Sequence, residues 1–171
     1  MGESMIGDKD SHVTVSYEFG GVEITRVYAI SEDMLTEAQP RAGKDLQEWL
    51  ADKGCALDSA DGPAISIRVG SILIERYYRN GKLHREEGPA CVGRDSAGSR
   101  EEYYRNGKLH RQDGPAVIAC NADGSTSQEA YFRNGVLDRQ DGPVVIVRNA
   151  DGSLENTYYC NGVSAGSFVK T

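Results

Sequence analysis

The strongest constraint on this chain is a segment that recurs three times. Residues 77–89 read YYRNGKLHREEGP, residues 103–115 read YYRNGKLHRQDGP and residues 131–143 read YFRNGVLDRQDGP. The front half alone returns as YYCNG at residues 158–162, so the first tyrosines of successive copies are 26, 28 and 27 residues apart. A period of this length is typical of stacked supersecondary units, none of which buries its apolar face alone.

Each copy carries a turn that its sequence makes recognisable. Asn-Gly between alternating residues favours a tight reversal, because both residues accept a positive φ. The pair occurs at residues 80–81, 106–107, 134–135 and 161–162. The two aromatic residues before each turn are predicted to point to opposite sides of a strand, with one ring in the core.

A second turn signal follows in each copy, where an acidic residue precedes Gly-Pro. Proline fixes φ and lacks an N–H donor, so it marks a turn or the first residue of a strand. Apolar strands are predicted to follow it, beginning at Ala64, Ala90, Ala116 and Val144. We therefore predict a mainly β fold over residues 61–171, an elongated antiparallel sheet of stacked β-hairpin repeats with about eight or more strands.

Residues 1–60 are predicted to form a small α+β lobe or cap ahead of the repeats. Apolar and polar residues alternate in residues 13–19, and a second apolar stretch follows Gly-Gly at residues 22–30, which indicates a hairpin. Ser31 is a predicted N-cap of a short helix, and this helix has to end before Pro40.

A second helix is predicted over residues 42–53, with Gly54 as its stop. The segment that follows is not a plain linker. Residues 49–63 read WLADKGCALDSADGP, which is similar to YFRNGVLDRQDGP with two more residues before the Leu-Asp pair. We therefore predict a degenerate first unit, of the kind that covers the open apolar end of a repeat stack.

Charge is distributed unevenly along the chain. Residues 1–60 hold 12 acidic and 5 basic side chains, whereas residues 61–171 hold 14 of each, so the net charge of −7 comes from the first part. This disfavours nucleic acid and anionic membranes as partners, because both need a basic footprint. It favours a basic protein partner, with simple solubility as the alternative. The predicted partner-binding residues are Glu32, Asp33, Glu37, Asp45, Glu48 and Trp49.

Trp49 also has a second interpretation, in which it packs its helix onto the adjacent hairpin or covers the end of the repeats. The histidines of the repeats have two interpretations as well. His84 and His110 each lie within four residues of an arginine and a carboxylate, and these three groups together could act in general acid/base catalysis. However, aspartate replaces this histidine at Asp58 and Asp138, and the segment recurs along the stack instead of occurring once.

We therefore favour a structural ladder for these segments, in which arginines pair with acids of neighbouring units and the acid before Gly-Pro caps its own turn. The arginines concerned are Arg79, Arg85, Arg105, Arg111, Arg133 and Arg139. The sequence contains no nucleophile elbow, phosphate loop or HExxH motif. We predict a protein that is not an enzyme and needs no cofactor.

The cysteines Cys55, Cys91, Cys120 and Cys160 show no CxxC spacing, which favours reduced thiols in a cytoplasmic protein over a metal site. The first residues contain no apolar run of signal-peptide length, so we expect no export through a cleaved signal. Cytoplasmic localisation is the resulting prediction.

The segment YYRNGKLHR followed by DGPA resembles the variant MORN repeat of bacterial and phage proteins, over residues 61–162. This resemblance implies that each unit is a β-hairpin and that the units form an elongated twisted sheet. Some bacterial members are described as antitoxin or immunity components paired with a toxin. The period is longer than in the ordinary MORN pattern, and residues 1–60 have no counterpart in the family.

The resulting functional prediction is a non-catalytic inhibitor or immunity protein that occludes a protein partner. That partner would be a toxin, a nuclease or a component of a defence system. The alternative is a structural or scaffolding module that forms a homo-oligomer by pairing sheet edges or repeat ends.

Overall fold

The computed structural model describes residues 12–30, 34, 43–59, 62–160 and 163–170. Its architecture is mainly β, with one long antiparallel sheet and a single helix, α1, among the described elements. Helix α1 spans Gly43–Asp52. The strands in chain order are β1 His12–Phe19, β2 Val22–Ala29, β3 Ile65–Val69, β4 Ile72–Arg76, β5 Tyr78–Arg79, β6 Lys82–Leu83, β7 Cys91–Asp95, β8 Gly98–Glu102, β9 Tyr104–Arg105, β10 Lys108–Leu109, β11 Val117–Asn121, β12 Thr126–Ala130, β13 Phe132–Arg133, β14 Val136–Leu137, β15 Val145–Arg148, β16 Leu154–Cys160 and β17 Val163–Lys170.

Eleven of these strands form one sheet in the order β1-β2-β3-β4-β7-β8-β11-β12-β15-β16-β17. The predicted elongated sheet of stacked hairpins is therefore confirmed. The N-terminal hairpin β1–β2 belongs to the same sheet, because β2 pairs with β3 from Val22↔Val69 to Arg26↔Ile65. The sheet thus runs without interruption from the first hairpin into the repeats.

The Asn-Gly turns do not connect the long strands of the repeats. They close three short hairpins of two residues per strand, β5–β6, β9–β10 and β13–β14, which lie outside the long sheet. Positive φ at Asn80, Asn106 and Asn134 confirms the predicted turn geometry. The fourth Asn-Gly pair, at residues 161–162, falls outside the described residues.

Each long hairpin instead turns at a second point of the unit, the Gly-containing turn expected where the apolar strand ends, as at residues 149–152, where Gly152 N donates to Asn149 O at 3.0 Å. The apolar strand β7 pairs with β8, whose sequence GSREE is polar, and β11 pairs with β12, which reads TSQEA. Polar sequences of this kind have low intrinsic preference for strands. They are strands here because each is hydrogen-bonded on both sides, as β8 is to β7 and β11.

The short hairpins are joined to one another by backbone hydrogen bonds. Gly107 N donates to Leu83 O at 2.8 Å, and Gly135 N donates to Leu109 O at 2.8 Å. The same bond occurs in the predicted degenerate unit, where Gly81 N donates to Leu57 O at 3.0 Å. Leu57 and Asp58 thus make the contacts to the next unit that their repeat counterparts make, whereas residues 49–52 belong to α1 and form no hairpin.

The paired aromatic residues do not supply a core ring. Each short hairpin begins between the two members of a pair, so Tyr77 precedes β5 and Tyr78 lies within it. Both rings are half-buried, as are those of Tyr103 and Tyr104, so the prediction of a buried ring was wrong. The fully buried position is the small residue after Gly-Pro, namely Ala64, Ala90, Ala116 and Val144.

The N-terminal part has a conventional apolar core. Val15, Tyr28, Ile30 and Leu50 are buried together, and Trp49 packs against them from α1. Helix α1 ends at Asp52, one residue before the predicted end, and the predicted stop Gly54 follows with a φ of 70°. The predicted helix after Ser31 falls outside the described residues, apart from Met34.

Candidate functional site

The second arginine of each repeat makes its contacts within its own unit. The guanidinium carbon of Arg85 lies 3.8 Å from the centre of the Tyr77 ring, and Arg85 Nη1 donates to the Pro89 carbonyl at 3.2 Å. Arg111 and Arg139 repeat both contacts with the matching tyrosine and proline. Stacking on a tyrosine face is favourable for a guanidinium, so this arginine fastens the loop to the hairpin.

The predicted pairing of these arginines with acids of neighbouring units was therefore wrong for Arg85, Arg111 and Arg139. In the first and third units the first arginine does pair with a carboxylate, but within its own unit. Arg79 Nη1 lies 2.7 Å from Glu86 Oε1, and Arg133 Nε lies 3.7 Å from Asp138 Oδ2. The Arg79 hydrogen bond lowers the pKa of the Glu86 carboxyl below its ordinary value.

The repeat histidine accepts a hydrogen bond from the next unit. Asn106 N donates to His84 Nδ1 at 3.2 Å, and Asn134 N donates to His110 Nδ1 at 3.2 Å. In the degenerate unit Asp58 accepts the same bond through Oδ2, from Asn80 N at 3.2 Å. A carboxylate can only accept, so the shared task of aspartate and histidine at this position is to accept an N–H.

This role fixes the tautomer of His110, whereas His84 Nδ1 also lies 2.9 Å from Asn106 Oδ1, an oxygen that can only accept. A neutral imidazole whose Nδ1 accepts a hydrogen bond carries its proton on Nε2. Nε2 of His84 and of His110 is buried and makes no hydrogen bond. These contacts give the histidine a structural role between units that the predicted ladder of arginines and acids did not include, and in the described units the acid before Gly-Pro makes no hydrogen bond that caps its turn.

Each of three successive units forms an open cleft between its short hairpin and the loop that follows. The volumes are about 340, 250 and 210 Å³ from the first to the third. All three are lined by a tyrosine, its stacked arginine and acidic side chains. The clefts are polar grooves repeated along the stack, unlike the single, largely apolar pocket expected of a small-molecule site.

The predicted partner-binding residues fall largely outside what the structure describes. Glu32, Asp33 and Glu37 are not among the described residues, and the Asp45 side chain is not described although its backbone lies in α1. Glu48 is exposed on α1, and Trp49 is half-buried against the apolar cluster of the N-terminal hairpin. The packing interpretation of Trp49 is confirmed, and partner binding by these six residues stays a prediction.

Sequence reasoning missed an apolar surface on the sheet, which we call the aliphatic patch. Its six residues lie on one side of β2, β3 and β4, because directly opposed residues of antiparallel strands share a face. The opposed pairs are Val22↔Val69, Ile24↔Ile67, Ile67↔Ile74 and Val69↔Ile72. Val69 and Ile72 are 37% and 44% exposed, and the other four are half-buried.

The opposite face of the same strands is more polar. Glu23 stands opposite Arg68, and both are exposed. Only the register across three strands shows that the apolar residues form one surface, although their alternation along each strand is visible in the sequence.

Cysteines and acidic groups do not form a metal centre in the described part of the chain, where no cluster of three or more candidate ligands occurs. Cys55, Cys91 and Cys120 are free thiols, and burial raises the pKa of Cys55 and of Cys91. Burial, together with Glu102, raises the pKa of Tyr104 to about 12. Within the described residues, no helix has both the length and the apolar character needed to cross a membrane.

No family model matches this chain, and no curated protein is significantly similar to it in sequence.

Proposed function

We propose that this protein binds another protein and occludes it, without carrying out chemistry of its own. The observation that carries the proposal is how the polar groups of the repeats are used. His84 and His110 accept bonds from the next unit, and the second arginines hold the loops. Groups that might have served as acid and base make contacts that hold the units together, and aspartate replaces the histidine in the third unit. What the stack offers to other molecules is an extended surface.

The aliphatic patch is the part of that surface best suited to a protein partner. An interface core is apolar, depleted of charge and surrounded by polar residues. The patch meets this description, since it joins exposed Val69 and Ile72 to four half-buried aliphatic residues. Two patch residues, Val22 and Ile24, belong to residues 1–60, and the acidic excess of that segment favours a partner that is basic around its own apolar contact.

The resemblance to variant MORN repeats supports a more specific form of the proposal. In that form the protein is a bacterial or phage-encoded immunity or antitoxin component in the cytoplasm, and its partner is a toxin, a nuclease or a defence-system protein. A tagged chain used as bait in its native host tests this directly. Recovery of one such protein in a stoichiometric complex is the expected result.

Two matched variants test the patch once a partner is in hand. Val69→Glu with Ile72→Glu places charge in the centre of the patch and should weaken binding by at least about tenfold, since desolvated charges at an interface core are costly. The control is Val136→Glu, at an apolar residue that is 60% exposed on the third short hairpin. If both variants bind equally well, the patch is not the interface.

The acidic residues are proposed to steer association. Reversal of Glu32, Asp33, Glu37, Asp45 and Glu48 to lysine should lower the association rate and its salt dependence, with little change in melting temperature. Stopped-flow measurements at low and high salt check this. An association rate that responds neither to salt nor to the reversals would leave these acids a solubility feature.

A second candidate function rests on the ends of the sheet. The edge strands β1 and β17 each span eight residues, and each has one neighbour in the described sheet. Exposed edges can pair with another chain, which would make the protein a scaffolding oligomer. Sedimentation over a wide concentration range distinguishes the two, because edge pairing predicts a dimer or a longer assembly without any partner.

A further inference from the structure

The middle of the three clefts differs from its neighbours in how its charges are paired. This cleft has a volume of about 250 Å³. Arg85, Arg105 and Arg111 line it together with Glu86 and Asp113, which gives three positive groups against two negative ones. Of these groups, Glu86 is already hydrogen-bonded to Arg79 of the preceding unit at 2.7 Å.

Among the described first arginines of the units, Arg105 is the one without an ion pair, although its charge, after that of Arg79, helps to lower the pKa of the Glu86 carboxyl. Its counterparts Arg79 and Arg133 pair with Glu86 and Asp138. In the middle unit Gln112 stands in the place of Glu86, and His110 stands in the place of Asp138. Among the described residues no carboxylate oxygen therefore lies within 4.0 Å of the exposed Arg105 guanidinium.

His110 supplies a second donor without an acceptor. Its Nδ1 accepts the Asn134 N–H at 3.2 Å, so its proton is on Nε2, which is buried and makes no hydrogen bond. In the preceding unit His84 Nε2 has a carboxylate oxygen of Glu86 at 3.9 Å, but Gln112 offers no such charge to His110. A buried donor without a partner is unfavourable, and an acceptor that enters the cleft would relieve this cost.

We propose that the middle cleft binds a single oxyanion, a carboxylate or a phosphate, through the Arg105 guanidinium and the Nε2–H of His110. A guanidinium presents parallel N–H donors that match the paired oxygens of either group, and hydrogen bonds to charged groups are the stronger ones. The site is specific to the middle unit, because the other two units fill the same position with their own carboxylates.

The experiment is a titration of the isotope-labelled protein with sodium phosphate and, separately, sodium acetate, at constant pH and followed by NMR of the Arg105 Nε–H and His110 ring signals. Sodium chloride at matched ionic strength is the reference. We expect saturable shifts centred on Arg105 and His110 with at least one of the two anions and not with chloride. Saturation by phosphate alone identifies a phosphate site, and saturation by acetate identifies a carboxylate site; both support the proposal.

The repeats supply matched variants for this test. Arg105→Gln should weaken anion binding by roughly tenfold or more, whereas Arg79→Gln, the same change one unit earlier, should leave it unaltered. Gln112→Glu installs the carboxylate that Arg79 already has in Glu86, and should abolish binding without removing either donor. His110→Asp keeps the acceptor for Asn134 and removes the donor.

Three results would overturn the proposal. One is a response to phosphate and acetate no larger than the response to chloride. Another is an equal loss of binding in Arg105→Gln and Arg79→Gln, which would mean that the anions respond to general surface charge. Gln112→Glu is a surface change that leaves the hydrogen bond between Asn134 and His110 intact. If this variant still binds the anions, the proposal is contradicted, whether or not His110→Asp folds.

Discussion

The N-terminal hairpin with its helix and the repeat stack belong to one sheet but are stabilised by different means. The N-terminal part buries Val15, Tyr28, Ile30 and Leu50 in one apolar cluster. The stack buries mostly alanine and valine, and holds its units together by backbone bonds between short hairpins and by arginine–tyrosine stacking. A cluster is vulnerable at its centre, whereas a stack is vulnerable wherever one repeated contact is lost.

The largest expected effect is the loss of packing at the centre of the N-terminal cluster. Leu50 is fully buried, so Leu50→Ala should lower the free energy of unfolding by about 2–5 kcal/mol. Alanine suits a helix, and the loss will therefore report packing and not helix formation. Chemical denaturation measures the change, with Leu73→Ala as a control at a half-buried site that should cost less.

Hydrogen exchange on the Leu50→Ala protein sharpens the comparison. Amides of β1, β2 and α1 should exchange faster, while the buried Ala116 amide, bonded to Ala130 O in the stack, should keep its protection. Equal loss of protection throughout would show that cluster and stack unfold as a single unit.

The next largest loss of stability is expected when the middle Asn-Gly turn of the stack is substituted. In Asn106→Val with Gly107→Val, β-branched residues must adopt the positive φ of 52° and 79° seen at these positions. The expected cost is about 2–4 kcal/mol, because a left-handed backbone costs an L-residue roughly 1–2 kcal/mol. Lys108→Val is the matched control, since the third unit already has Val136 there. A thermal melt in which the control loses as much as the double variant would contradict this account.

A smaller effect is expected where two long strands of the stack approach each other closely. A Cβ at Gly98 would lie 2.0 Å from the Cys120 carbonyl oxygen, and Gly98 has a φ of 150°. Gly98→Ala must push β8 from β11, at a cost of about 1–3 kcal/mol. Gly93→Ala, on the neighbouring strand with nothing within 4 Å, should cost less, and denaturation of the two variants compares them. Equal stability would mean that the sheet adapts there without strain.

The repeat and its Asn-Gly turns were predictable because their signals are local. The apolar strands after Gly-Pro and the Gly54 helix stop were predictable for the same reason. The strands β8 and β12 were not, since GSREE and TSQEA become strands only through neighbours on both sides. The partners of the second arginines were also missed, since only the loop geometry places them on a tyrosine.

The candidate binding surfaces were also predictable from the sequence only where the signal is local. The acidic residues could be proposed from composition alone, but the aliphatic patch depends on the register of three strands. The role of His84 and His110 involves a backbone N–H more than twenty residues away, and the sequence hinted at it only through the exchange of histidine for aspartate.

The smallest effect is expected at the ladder position itself, in His110→Asp. Asp58 already accepts the corresponding N–H of Asn80, so an aspartate at 110 should accept the Asn134 N–H in the same way. We expect the free energy of unfolding to change by no more than about 0.5 kcal/mol, because the substitution leaves the hydrogen bond to Asn134 in place. Thermal melts of the two proteins measure this change. His110→Leu is the control, because it removes the hydrogen bond of that exposed N–H, which is worth about 0.5–1.5 kcal/mol. If aspartate proved as damaging as leucine, the acceptor role of this position would be wrong, and the packing of the imidazole ring would be what the stack requires.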